Sequence, residues 1–325
     1  MVNHLPSNIF KEGSLIPILH TFNLAKTFGE SFVLNIDDSY ENRFQFNAMQ
    51  ELDYWGIKPD KINLISSISN SSIESLINST LYNITEERNV ILKSCNCGKL
   101  ELYGRDIKEG IHGKSKVLEN GKCRFCQTAK IIETKQLITT FNHTLRESHN
   151  IYPQNMLKTY NSKFPIGMKK EFRISRLRQT QYRIKFNDNF YYLDPDFVGV
   201  LSLELLRKDQ RLKVCYSQKR PEKLFLLSSL LGNDVDFIGI PYLTNFKEYY
   251  EKIKATTNNY KHLIVFIALS TSWNKHENEC NETIFKTYKK LSDLNKESLY
   301  QKIISSDSLY TYLKTFNNNL LATKY

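Results

Sequence analysis

The chain has 325 residues, of which 41% are hydrophobic and 12% aromatic, so it can bury a core in one large domain or two smaller ones. This composition excludes an intrinsically disordered protein. The net charge of +11 and the pI of about 9.2 favour a polyanionic partner, nucleic acid being the commonest. Charge that serves only solubility is the alternative interpretation.

The amino-terminal residues, MVNHLPSNIFKEG, contain no apolar stretch of signal-peptide length, and no apolar run approaches a membrane span. We therefore expect an intracellular, cytoplasmic protein with no membrane partner. In a reducing compartment, six cysteines indicate a metal site or free thiols before disulfides.

The first segment, residues 1–85, alternates helix and strand. Residues 14–28 carry apolar side chains at helical spacing, and residues 32–36, FVLNI, are typical of a buried strand. Asp37 and Asp38 follow that strand directly, at the strand end where ligands bind in α/β sheets. Three further elements are predicted in this segment: a helix over 44–55, a strand over 64–66 and a helix over 69–81.

Residues 86–190 differ in kind, because they hold four cysteines, several short β-like runs and a basic stretch. The α/β pattern returns in residues 191–280, and residues 281–325 are predicted to form a short helical tail. The elements predicted in 191–280 are a strand over 212–216, a helix that Pro221 opens and Gly232 closes, and a buried strand over 263–269. The sequence therefore predicts an α/β fold, a Rossmann-type parallel sheet split by an α+β insertion.

The cysteines of the insertion form two close pairs, Cys95-Asn-Cys97 and Cys123-Arg-Phe-Cys126. Two such pairs on tight turns can place four thiolates tetrahedrally around one Zn²⁺. A closed set of four thiolates leaves no open position, so the zinc would fold the insertion and take no part in chemistry. An iron–sulfur cluster and four unrelated free thiols are the alternatives.

A basic stretch closes the insertion, with seven basic residues between positions 169 and 185 and one acid. Apolar residues are interleaved, which predicts a twisted hairpin with apolar side chains inward and arginines outward. Rows of basic residues at strand spacing can follow a phosphate backbone. The predicted RNA-binding residues are Lys169, Lys170, Arg173, Arg176, Arg178 and Arg183. A solvated basic face is the alternative.

Residues 32–60 resemble the "R-I-E-D-T-D…R" segment and the following "L-x-W-L-G-I-x-x-D" of glutamyl- and glutaminyl-tRNA synthetases. A cysteine-bearing insertion between two Rossmann halves is also the layout of these class I enzymes, in which it grips the tRNA acceptor end and often holds zinc. The chain has no room for their anticodon-binding domain, so in size it resembles a truncated, divergent member such as the glutamyl-Q synthetases.

The resemblance implies an ATP site at the start of the first helix. Lys11, Gly13 and Ser14 stand in the place of the family's "H-x-G-H", where a helix start and its donors hold phosphates. Lys275 stands near the family's "K-[LM]-S-K-[RS]" loop, whose lysines stabilise pyrophosphate. Both motifs are degenerate here. Lys11 and Lys275 are the implied catalytic residues, and ATP with Mg²⁺ is the implied substrate.

The same resemblance implies an amino-acid pocket of Asn35, Asp37 and Tyr192. Asp37 stands where the family has the carboxylate that holds the substrate's α-ammonium group. Asn3 and Asn35 replace two arginines of the family, which removes positive charge and puts glutamate specificity in doubt. A pair of aspartates that complements a helix dipole is the alternative for Asp37 and its neighbour.

The function implied is a ligase that activates an amino acid with ATP and transfers it to tRNA or another acceptor. The alternative is a catalytically degenerate paralogue that binds tRNA or aminoacyl-tRNA without forming an adenylate. A third interpretation is a nucleotidyl-transferase with a small-molecule acceptor.

Overall fold

The computed structural model describes residues 1–7, 12–36, 38, 49–50, 52–53, 57–103, 118–143, 151–152, 154–206, 212–217, 221–231, 235–240, 242–244 and 277–279. The predicted helix over 44–55 lies mostly outside these ranges, and the predicted strand over 263–269 and tail over 281–325 lie wholly outside them. Within the described ranges, no helix is both long enough and apolar enough to span a membrane.

A six-stranded sheet, parallel throughout, forms one layer of the molecule. In spatial order its strands are β3 Lys61–Leu64, β2 Phe32–Ile36, β1 Val2–Ser7, β14 Leu212–Ser217, β15 Val235–Ile240 and β9 Ile151–Tyr152. Both β2 and β15 are buried along their whole length, as expected for parallel strands covered on both faces. The order β3-β2-β1-β14-β15 is that of a Rossmann-like sheet, which confirms the predicted α/β class.

Residues 49–50 and 52–53 are helical, and five further helices of the described chain accompany the strands: α1 Glu12–Phe28, α2 Asn70–Leu76, α3 Gln154–Lys163, α4 Pro195–Leu206 and α5 Pro221–Leu231. Both α4 and α5 begin at a proline, the residue that the first helical position tolerates best. The side chain of Ser69 accepts a hydrogen bond from the backbone N–H of Ser72 and so caps α2.

Two antiparallel sheets are formed by strands that lie between β3 and β14 in sequence, a stretch from which β9 alone among the described strands joins the parallel sheet. The first has the order β10 Lys169–Arg173, β8 Lys130–Asn142, β4 Thr85–Ser94 and β5 Glu101–Tyr103. The second has the order β11 Ser175–Arg176, β13 Asn189–Leu193 and β12 Arg183–Phe186. Two short pairs complete the described strands: β6 Leu118–Glu119 with β7 Lys122–Cys123, and β16 Tyr242–Thr244 with β17 Glu277–Glu279.

The predicted elements over 64–66 and 69–81 differ from those observed. The strand ends at Leu64, and Ile65–Ser67 forms a 3₁₀ turn because the backbone N–H of Ser66 donates to the carboxylate of Asp38 and not to a neighbouring strand. The helix predicted over 69–81 is α2 followed by a π-helical turn, Ile77–Leu81.

The basic stretch does not form the predicted hairpin. Its first strand, β10, pairs with β8, whereas β11 and β12 both pair with β13. The chain passes from one antiparallel sheet to the other at Ile174, which is fully buried. Its N–H donates to the carbonyl of Leu137, and its carbonyl accepts from the N–H of Asp194. One residue thus joins the two antiparallel sheets, and the stretch contributes to both.

The antiparallel sheets and the parallel sheet share one apolar core. The ring of Phe172, on β10, lies 5.8 Å from that of Phe141 on β8 and 6.0 Å from that of Phe225 on α5. The strands within residues 86–190 therefore pack directly against a helix of the Rossmann-like part.

Candidate functional site

The order of the parallel strands reverses between β1 and β14, the two central strands. In open α/β sheets, ligands bind outside the carboxyl ends of the strands at such a point. Helix α1 follows β1 and begins at Glu12, so Gly13 and Ser14 lie in its first turn. The other predicted residues of this edge, Lys11, Asp37 and Lys275, lie outside the described residues.

Asn35 is buried at the carboxyl end of β2 and is engaged within the sheet. Its Oδ1 accepts a hydrogen bond of 2.9 Å from Nδ2 of Asn63 on β3. The next strand-end residue described, Asp38, accepts from the backbone N–H of Ser66 at 2.8 Å and from the Ser66 hydroxyl. These two links hold the ends of β2 and β3 together beside the expected binding edge. The sequence offers no signal for them, because each joins residues 28 positions apart.

The four cysteines of the insertion lie together, as predicted. Their Sγ atoms are all within 4.8 Å of one another, with 3.3 Å between Cys95 and Cys97 and 3.6 Å between Cys97 and Cys123. Zinc–sulfur bonds of about 2.3 Å in a tetrahedron place sulfur atoms about 3.8 Å apart. The spacing and the all-thiol donor set therefore fit a tetrahedral metal ion, with Cys126 as the fourth ligand.

Each cysteine pair lies on a tight turn. The N–H of Gly98 donates to the carbonyl of Cys95, and Gly98 has a φ of +68°, a conformation that glycine adopts without strain. In the second turn, the N–H of Gln127 donates to the carbonyl of Cys123. The Thr128 hydroxyl accepts from the N–H of Asn96 at 3.1 Å and so joins the two turns.

Hydrogen bonds favour the thiolate form, which binds metals, at Cys95 and Cys126. The hydroxyl of Thr128 lies 3.1 Å from Sγ of Cys126 and, with backbone donors, lowers the pKa of Cys126 to about 5. The N–H of Leu100 donates to Sγ of Cys95 at 3.2 Å. Because Cys95 and Cys123 are buried and Cys97 is exposed, the cluster lies at the protein surface with its inner side covered.

The six residues predicted to bind RNA fall into two groups. Lys169, Arg178 and Arg183 are exposed, whereas Lys170, Arg173 and Arg176 are buried or half-buried. Nζ of Lys170 lies 5.0 Å from the centroid of the Phe164 ring, so its ammonium group packs on an aromatic face.

Two arginines of the second group form ion pairs with buried acids. Arg173 pairs with Glu101, and both side chains are less than a tenth exposed. Nη2 of Arg176 lies 2.6 Å from Oδ2 of Asp194, whose Oδ1 also accepts from the N–H of Asp196 at the start of α4. Their charges are balanced within the fold, which the sequence pattern of the stretch did not reveal.

Tyr192, the third residue predicted for the amino-acid pocket, lies on β13 of the three-stranded sheet and not on the parallel sheet. It stands directly opposite Arg176 on one side and Arg183 on the other. Side chains on this side of the sheet form what we call the basic–aromatic face: Arg176, Arg183, Lys185, Phe190 and Tyr192. The period-two alternation of RIKF at 183–186 is the sequence signal for it.

No family model and no curated protein matches this chain. Among solved structures, a glutamate-tRNA synthetase from Elizabethkingia anophelis is 11% identical with a TM-score of 0.39, over 93% of this chain and 76% of that one. A glutamate tRNA ligase from Elizabethkingia meningosepticum, in complex with its amino acid, is 11% identical with a TM-score of 0.32, over 73% and 48%. Such values mark at most a distant likeness of fold, so any assignment of function rests on the residues of this chain.

Proposed function

We propose that this chain is a class I synthetase-like ligase that activates an amino acid with ATP and transfers it to tRNA or another acceptor. The observation that carries the proposal is the start of α1 directly after β1, beside the reversal of strand order between β1 and β14. A helix start at this place in a parallel sheet suits the phosphates of a nucleotide. The resemblance of residues 32–60 to the glutamyl group supports the same chemistry.

The reaction has two steps. A carboxylate oxygen of the amino acid attacks the α-phosphorus of ATP. The bond between this phosphorus and the oxygen that bridges it to the β-phosphorus breaks, and pyrophosphate leaves. A hydroxyl oxygen of the acceptor then attacks the activated carbonyl carbon, AMP leaves, and the hydroxyl proton passes to AMP or water. Positioning and charge stabilisation supply most of the rate enhancement in such chemistry.

Each residue has a role in this proposal. Lys11, Gly13 and Ser14 hold the phosphates of ATP, which enters with Mg²⁺, and Lys275 stabilises the departing pyrophosphate. Asp37 holds the α-ammonium group of the amino acid. Because Asn35 is bound to Asn63, it supports the pocket from within the sheet.

Zinc is the metal we propose for the four-cysteine cluster. Four thiolates complete a tetrahedral shell, so the ion stabilises the fold of residues 95–126 and leaves no position for a substrate.

The burial of Asn35 also favours a second candidate function. A side chain that is fully buried and hydrogen-bonded to Asn63 does not reach a substrate, which fits a paralogue that binds tRNA or aminoacyl-tRNA without forming an adenylate.

The deciding experiment is ATP–pyrophosphate exchange with folded, metal-loaded protein, run with each of the twenty amino acids, with and without total tRNA. Exchange that depends on one amino acid supports the ligase and names its substrate. Exchange with none of them under either condition rejects the ligase and leaves the RNA-binding paralogue.

Matched lysine variants test the assigned roles. Lys11→Ala and Lys275→Ala are expected to abolish exchange, each removing a charge from the phosphate site. Lys58→Ala is the control, because Lys58 is exposed near the amino end of β2, at the opposite edge of the sheet. Equal loss in all three variants would contradict the assignment.

A further inference from the structure

The basic–aromatic face combines two rows of side chains on one hairpin, in which Arg183, Lys185 and Phe190 are exposed and Tyr192 is half-buried. Arg183 stands directly opposite Tyr192, and Lys185 directly opposite Phe190. Because side chains on a strand alternate between faces, all four point to the same side, while Ile184 and Tyr191 point into the core. Directly opposed residues have Cβ atoms about 5 Å apart, so the four form a compact patch.

Phe190 is exposed to an unusual degree for a phenylalanine on a strand. It keeps 59% of its surface in solvent, although the guanidinium carbon of Arg183 lies 4.1 Å from its ring centroid. An arginine stacked on an aromatic ring forms a flat surface that has both π character and positive charge. Such a surface suits a partner that offers flat rings and negative charge at short spacing.

Acids border the patch. Oε2 of Glu74 accepts a hydrogen bond from the backbone N–H of Lys185. Nζ of Lys185 lies 3.9 Å from Oδ1 of Asp188, and this pair is exposed, so it contributes little and a phosphate can replace it. At one edge of the face, Arg176 is paired with Asp194.

We propose that the basic–aromatic face binds unpaired nucleotides of an RNA, with bases stacked on Phe190 and Tyr192 and phosphates bound by Arg183 and Lys185. Unpaired nucleotides are favoured over duplex because bases must leave their own stack to meet a protein ring. The choice of RNA over DNA rests on the proposed function, in which RNA is the acceptor. The stacking and charge argument stands on the face itself.

The test is fluorescence anisotropy with a labelled, unstructured RNA of about 12 nucleotides, within the range of single-strand site sizes. Phe190→Ala is expected to weaken binding by about 5- to 150-fold, the effect of losing one stacked base. Phe190→Trp should restore it, because tryptophan offers a larger stacking surface.

Phe125 provides a matched control in the same protein. It is also 59% exposed, and Nζ of Lys99 lies 3.9 Å from its ring centroid, so it too is an exposed ring beneath a cation. Phe125→Ala is expected to bind RNA as the wild type does. Because Phe125 lies between Cys123 and Cys126, the metal content of this variant is measured as well. Equal losses for Phe190→Ala and Phe125→Ala, or no loss for Phe190→Ala, would overturn the proposal.

Salt dependence separates charge from stacking. Arg183→Gln and Lys185→Gln should each reduce the slope of log affinity against log salt by about 0.7, whereas Phe190→Ala should leave the slope unchanged. Equal binding of the matching duplex, or full competition by polyglutamate, would overturn the proposal and indicate an electrostatic or acidic-protein partner. Because binding is measured without ATP or amino acid, its failure is distinct from failure of pyrophosphate exchange.

Discussion

Glu101 accepts a hydrogen bond from the guanidinium of Arg173, and the same carboxylate oxygen accepts the backbone N–H of Leu177 at 2.9 Å. Glu101 begins β5 just after the first cysteine pair, whereas Arg173 and Leu177 belong to the basic stretch. The carboxylate therefore fixes the basic stretch to the strand that leaves the cysteine cluster.

Replacing Glu101 with Gln is expected to lower the free energy of unfolding by about 3–5 kcal/mol, because the buried charge of Arg173 would lose the carboxylate that it contacts directly. The side chains of Arg173 and Glu101 are only 8% and 4% exposed. Urea denaturation measures the change. The control is Glu86→Gln, since Glu86 pairs with Arg88 at the surface, where about 1 kcal/mol or less is expected. Similar losses for both variants would contradict the prediction.

The purified protein is expected to contain one zinc ion per chain, measured by elemental analysis. Cys126→Ala should lose the metal and speed amide hydrogen exchange in residues 95–103 and 118–128, because the turns there depend on it. Cys215→Ala is the control: burial raises the pKa of Cys215 to about 12, and its thiol lies outside the cluster. Full metal content in Cys126→Ala would contradict the four-cysteine site.

Burial of His20 on α1 should make the protein acid-sensitive. Burial lowers the pKa of His20 to about 4, whereas an unfolded histidine titrates near 6.5. Since the folded pKa is depressed, the contribution of neutral His20 is complete above about pH 6.5. It is lost progressively, up to about 3 kcal/mol, as the pH falls to about 4.

His20→Leu should therefore flatten the dependence of unfolding free energy on pH between these values, and His20→Gln serves if the leucine variant does not fold. Parallel pH profiles for wild type and variant would sink the prediction.

The hydrogen bonds between Asp38 and Ser66 are expected to stabilise the carboxyl-end edge of the parallel sheet. Asp38→Ala should cost about 1–3 kcal/mol, because the N–H and the hydroxyl of Ser66 both lose their hydrogen bonds to the buried carboxylate of Asp38. The control is Ser67→Ala, whose hydroxyl is exposed and donates to the carbonyl of Leu64, so a change below about 0.5 kcal/mol is expected. Thermal unfolding of both variants measures the difference.

Local patterns are enough to predict β2, β14, α5 and the meeting of the four cysteines. Each of these depends on spacing within a short stretch: an apolar run, a proline at a helix start, or two cysteines separated by one or two residues. The amino-acid sequence alone therefore indicates the α/β class and the four-cysteine cluster.

Partners distant in sequence cannot be predicted in the same way. Arg173 and Arg178 look alike in the sequence, yet one meets Glu101, 72 positions away, while the other is exposed. The pairing of Asn35 with Asn63 and the crossing at Ile174 likewise depend on which strands become neighbours. The roles of these residues depend on contacts in the folded protein, which composition and periodicity do not predict.

The place of β1 has a consequence for how the protein is made. Val2 pairs with Phe32 on one side and with Lys213 on the other, so β1 is a central strand of the sheet that is synthesised long before one of its two partners. One of its edges pairs with β14, which follows more than two hundred residues later in the sequence. Contacts of such long range slow folding, and an unpaired strand edge invites association with other chains. We therefore expect slow refolding that is sensitive to protein concentration.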